Sequence, residues 1–116
     1  MVRVIVLAVA LGFSCAGRAL YAGQGGATAA AGEKVFAAQK CNICHSVAGK
    51  GNKNGPLDDV GTKLSAADIR AWLVTPADMG KKANATRKPP MKSYASLPPA
   101  DIDALVAYLQ TLKLKK

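Results

Sequence analysis

The sequence predicts an all-α fold, helices joined by loops. Three stretches, running from Gly32, from Ser65 and from Pro98, space their apolar residues at helical intervals. No stretch alternates apolar and polar residues as a half-buried strand does, and turn residues gather between the helical stretches. At 116 residues, half of them hydrophobic, the chain has room for one compact domain, which excludes a disordered tail and a multidomain enzyme. No internal repeat is visible.

Residues 1–22 read as a segment apart. Arg3 precedes an unbroken apolar run, Val4 to Phe13, followed by small residues ending in Ala19-Leu20-Tyr21-Ala22. The run is too short to cross a bilayer as a helix and suits the apolar stretch of a secretory signal, with cleavage expected after Ala22. The competing readings are an uncleaved membrane anchor and a lipoprotein modified at Cys15, although Gly12-Phe13-Ser14 fits a lipobox poorly. Cleavage would remove Arg3 and Arg18, lowering the formal net charge of +9 by two, and would leave Cys41 and Cys44 as the remaining cysteines. The expected location is the periplasm or another exported compartment.

Residues 23–31 are Gly, Ala, Gln and Thr and read as a short flexible leader. A helix is expected from Gly32, with Val35 and Phe36 on one face. Residues 49–56, Gly-Lys-Gly-Asn-Lys-Asn-Gly-Pro, form a loop dense in turn residues. Ser65-Ala66-Ala67-Asp68 resembles a capping box with Asp in place of Glu and opens a helix bearing Ile69, Trp72 and Leu73, which Pro76 closes. Residues 77–96 read as loop. The last helix starts at Pro98-Pro99 and carries Ile102, Leu105, Val106, Leu109 and Leu112 on one face.

The chemistry concentrates in Cys41-Asn42-Ile43-Cys44-His45, which holds two of the three cysteines and the single histidine. Cys-x-x-Cys-His is the attachment signature of c-type haem. Each thiol adds to one porphyrin vinyl group, and the next residue's imidazole must reach the iron on the same face. A structural zinc site needs four ligands, more than this cluster supplies. A thioredoxin-type redox pair needs a preceding strand in a βαβ setting, and a helix precedes the motif instead. A simple disulfide leaves His45 without a role. One covalent haem c with one iron is therefore expected, held by Cys41, Cys44 and His45.

Because His45 is the lone histidine, a second histidine ligand from this chain is excluded. Apart from Met1, the remaining soft ligands are Met79 and Met91, and thioether opposite histidine is the electron-transfer pattern. Ordinary core packing is the alternative for each methionine.

These residues together resemble the class I c-type cytochromes over nearly all of residues 32–116, taken as the cytochrome c domain. Gly32 and Phe36 match the glycine-to-aromatic spacing of that family's first helix, and Leu105 and Tyr108 match its partners on the last. The resemblance implies a cytochrome c fold around the haem. It makes Pro56 the residue whose carbonyl takes the ring hydrogen bond of the axial histidine, and Trp72 the aromatic packed on the methionine side. It selects Met91, which follows Pro89-Pro90 and precedes the last helix, over Met79, so the metal ligands are His45 and Met91. Lys92 stands where the family often has proline, and Gly55-Pro56-Leu57 is one residue tighter than its common spacing.

The expected function is one-electron transfer without enzymatic activity, since a filled coordination sphere leaves no open position. The alternatives are a haem subunit of a periplasmic dehydrogenase and a ligand-binding or sensing haem with an open sixth position. Lys34, Lys40, Lys50 and Lys53 flank the attachment motif, while Lys81, Lys82, Arg87, Lys88 and Lys92 crowd the methionine loop. The expected partners are redox proteins with an acidic docking surface, met by a monomer with peripheral or no membrane association and no nucleic-acid target.

Overall fold

The computed structural model describes residues 24–115; the expected signal segment 1–22, with Cys15 and the cleavage site, lies outside them. The elements run α1 (Gln24–Ala38), β1 (Ser46–Val47), β2 (Lys50–Gly51), α2 (Val60–Lys63), α3 (Ala66–Val74), α4 (Pro76–Lys82) and α5 (Pro99–Thr111). The helical domain expected from the sequence is thus observed, with three differences of detail.

The first difference is the leader. Helix α1 begins at Gln24, not at Gly32, so residues 24–31 are helix and not a flexible segment. Ala27 and Ala29–Ala31 explain the extension, since alanine has the highest helix propensity and offsets the glycines around it. At its other end Gln39 N–H still bonds the Val35 carbonyl at 2.8 Å, and Lys40 then takes the left-handed conformation, φ 56°. That residue stops the helix as a left-handed C-terminal residue does and turns the chain into a single 3₁₀ turn, Cys41–Ile43.

The second difference is a hairpin where no strand was expected. Ser46 pairs with Gly51 and Val47 with Lys50, around a turn in which Ala48 and Gly49 both have positive φ. Strands of two residues are too short to leave an alternating pattern. The third is α4, inside the stretch read as loop over 77–96. Pro76 does end α3, but it also serves as the first residue of the next helix, where its missing N–H costs nothing. Asp78 in the first turn and Lys81 and Lys82 in the last complement the helix dipole.

Helices α1 and α5 cross and form the main packing contact. A Cβ on Gly32 would strike the Ala104 carbonyl and the Tyr108 Cβ, so only glycine lets the two backbones approach this closely. One turn on, Phe36 meets Tyr108 edge to face, centroids 5.7 Å apart. Helix α3 adds Ile69 and Leu73 to the core of Phe36, Ile102, Leu105, Val106 and Leu109. Ser65 caps α3 by accepting the Asp68 N–H at 3.1 Å. Its hydroxyl also donates to the Asp68 carboxylate at 2.9 Å, a variation on the expected capping box. The C-terminal tail is tied to α2 through Gly61 N–H to the Leu112 carbonyl, 2.9 Å.

Candidate functional site

Between the α1–α5 crossing and the loops lies a cavity of about 1200 Å³, larger than the ~300–1,000 Å³ of ordinary ligand pockets. Cys41, Cys44, His45, Met91 and Tyr94 all line it, and Phe36, Leu73 and Leu105 bring the core to its wall. Trp72 lines it too. Of the residues expected at the site, Cys41, Cys44, His45, Trp72 and Met91 therefore share one cavity. Met79, on α4, does not line it. Pro56 lies instead in a smaller adjoining cavity whose wall also includes Trp72.

The expectation for Pro56 needs correction. The Nδ1–H of His45 donates to the carbonyl of Gly55, at 3.0 Å, one residue before the proline. Residues 55–57 run beside Ser46 in a parallel bridge: Ser46 N–H bonds the Gly55 carbonyl at 3.1 Å, and Leu57 N–H bonds the Ser46 carbonyl at 2.9 Å. In such extended backbone successive carbonyls point to opposite sides, so the Gly55 oxygen faces His45 and the Pro56 oxygen turns away. Because a carbonyl only accepts, Nδ1 carries the proton and Nε2 keeps its lone pair free for a metal. Burial lowers the His45 pKa below its ordinary value; the bond to Gly55 opposes this and the Arg87 charge adds to it. The imidazole is neutral near pH 7, the state a ligand requires.

Cys41 and Cys44 are not joined in a disulfide, and the first is half-buried, the second exposed. Burial raises the Cys41 pKa, with the Lys92 charge among the opposing influences. Among the described residues no three His, Cys, Asp or Glu side chains converge as ligands of a bare metal ion. The zinc reading of the motif therefore finds no ligand set among the described residues.

The Met91 loop is pinned to the end of α3. Tyr94 N–H bonds the Leu73 carbonyl at 2.7 Å, and the Ser93 hydroxyl donates to the Val74 carbonyl at 2.7 Å, satisfying acceptors that the helix terminus leaves open. Lys92 lies over the Tyr94 ring, 5.2 Å from its centroid.

Charge decides what the cavity suits. Its charged lining residues are Lys40, Lys81, Arg87, Lys88 and Lys92, with no carboxylate among them. Apolar walls, two thiols, a neutral imidazole, a thioether and a wholly cationic rim fit a flat apolar macrocycle that bears carboxylates and a metal. Haem c has those properties, and the residues present fit it.

Sequence reading missed Gly55 and Ile43. The Gly55 acceptor is a backbone atom, which no residue type advertises. A Cβ there would strike the Cys44 carbonyl and the Arg87 guanidinium, so the position requires glycine for its space. Ile43, a cavity residue 64% exposed, carries no signal beyond being an apolar residue within the motif.

The family described as Cytochrome c matches residues 29–113. Cytochrome c oxidase subunit 2 of Alkalihalophilus pseudofirmus is 30% identical over 92 residues, covering 72% of this chain and 25% of that protein. The chain thus spans about a quarter of that relative's length. No solved structure matches significantly.

Proposed function

The chain belongs to the cytochrome c family, and from that premise we propose that it is a one-electron carrier with a single covalent haem c whose iron His45 and Met91 would ligate. One observation carries the ligand assignment: His45, with Nε2 free, and Met91 line the same cavity, whereas Met79 does not. Haem iron supplies reversible ferric–ferrous exchange when bound. Cys41 and Cys44 would hold the haem through thioethers, each sulfur bonded to a vinyl carbon and the thiol hydrogen passed to the neighbouring carbon. His45 is oriented by Gly55. Met91 would offer the iron its thioether, a ligand that raises the reduction potential. The apolar walls keep water from the site, and the cationic rim disfavours the more positive oxidised state.

Electrons leave and enter where the site meets solvent. Ile43 offers an apolar contact there, while Lys40, Lys81, Lys82, Lys88 and Lys92 are all exposed. This arrangement supports docking of an acidic redox partner by charge-steered encounter. On this reading the chain is a carrier and not an enzyme, acting as an exported monomer after loss of residues 1–22. Among the described residues no helix is long and apolar enough to cross a membrane.

The similarity to an oxidase subunit favours a second reading, in which this domain passes electrons directly to a terminal oxidase or forms part of one. Visible spectra test the central proposal. The oxidised protein should show the weak red band of an iron–sulfur bond, which Met91→Ala removes and Met79→Leu leaves. The reverse pattern would make Met79 the ligand, and a wild type without the band would favour an open sixth position.

A further inference from the structure

We infer that Asn52 is a positioning residue for the iron-binding histidine: it couples the haem-attachment turn to the carbonyl that holds His45. The inference rests on the haem reading above. Asn52 engages both segments at once. Its backbone N–H is shared between the carbonyls of Asn42, at 3.0 Å, and His45, at 3.1 Å. Its side-chain Nδ2 donates to the Ile43 carbonyl at 3.1 Å. On the other side, Oδ1 accepts the Asn54 N–H at 3.0 Å, and the Asn52 carbonyl accepts the Gly55 N–H at 3.1 Å. The partners fix the amide orientation, because a carbonyl needs a donor and an N–H needs an acceptor. Close approach reinforces the link: a Cβ on neighbouring Gly51, φ 103°, would strike the His45 carbonyl.

The consequence concerns the His45–Gly55 bond. Its donor and acceptor stand ten residues apart in the chain, at the two ends of the hairpin segment. Their separation is set by whatever ties that segment down, and Asn52 supplies bonds to both ends. A firm ring N–H bond raises the basicity of a metal-bound imidazole and so stabilises the oxidised metal. Loosening the bond should shift the potential upward. Both side-chain bonds of Asn52 lie at the surface, where water replaces a lost partner. Overall stability should therefore change little, while the geometry at His45 relaxes. A purely structural loop residue would give the opposite signature.

The test compares haem-loaded wild type with Asn52→Ala, Asn52→Ser and Asn54→Ala. Two quantities are read: the midpoint potential, and the solvent-exchange rate of the His45 ring Nδ1 proton by NMR in the reduced state. Asn52→Ala should raise the potential and speed exchange about tenfold, the scale of one lost hydrogen bond. Asn52→Ser keeps an acceptor for the Asn54 N–H but is too short to reach the Ile43 carbonyl, and should move both readings in the same direction. Asn54→Ala, which alters the same loop while sparing the Asn52 side chain, should leave both unchanged. Unaltered readings in Asn52→Ala, wild-type readings in Asn52→Ser, or an equal shift in Asn54→Ala would each overturn the assignment. A wild type lacking haem would overturn the functional reading and this inference together; haem-bearing variants that fail to shift would overturn this inference alone.

Discussion

His45 and Gly55 are joined by a 3.0 Å hydrogen bond from the ring Nδ1–H to the backbone carbonyl, in a setting where burial lowers the histidine pKa. The bond determines which nitrogen is free, and burial favours its unprotonated form. As pH falls through the ordinary value of 6.5, the unfolded chain takes up a proton that the folded chain resists, so stability falls toward acid down to the depressed folded value. Metal ligation requires the same neutral ring and acts in the same direction. Guanidinium denaturation of the haem-loaded protein should give a lower midpoint at about pH 5 than at about pH 7.5. Equal midpoints would mean that His45 does not contribute.

Attachment through Cys41 and Cys44 should survive denaturation. Haem-dependent peroxidase staining of a denaturing gel should give a band for the protein matured in cells able to make c-type cytochromes. The band should vanish when both cysteines become alanine. A wild type without it would sink the covalent haem.

Gly32→Ala tests the crossing of α1 and α5. Alanine gains about 0.8–1.0 kcal/mol of helix propensity over glycine. The added Cβ, however, meets the Ala104 carbonyl and the Tyr108 side chain, and forcing helices apart costs about 1–3 kcal/mol or more. The clash should win, lowering the urea midpoint and weakening the Phe36–Tyr108 contact. A raised midpoint would show that the crossing relaxes freely.

Charge reversal tests the basic rim. The rate of electron transfer to an acidic redox partner should fall with salt, as the Debye length shrinks from about 30 Å at 0.01 M to about 3 Å at 1 M. It should also fall in the Lys81→Glu/Lys82→Glu double variant. A rate indifferent to both would direct the search toward apolar docking or a permanently bound partner.

Processing is tested by mass. The mature protein should begin after Ala22. A mass retaining residues 1–22 would indicate an anchor, and a lipidated Cys15 at the terminus would indicate lipoprotein processing.

Short-range chemistry made much of this protein legible before folding. Cys41, Cys44 and His45 work at fixed sequence spacing, so the sequence by itself determined the haem motif. Helices α3 and α5 likewise follow from Ser65, Pro99 and the spacing of their apolar residues, which are local properties. Pro76 shows the limit of local reading: the same residue that ends α3 begins α4, and one signal served two purposes. Tertiary structure alone decided what depended on backbone atoms meeting across the chain. It chose Gly55 over Pro56 because pairing beside Ser46 set which carbonyl turned inward. It also made Asn52, one turn residue among many, the link between two segments. Residue types announce side-chain chemistry, whereas the direction of a carbonyl is settled only when distant segments pack.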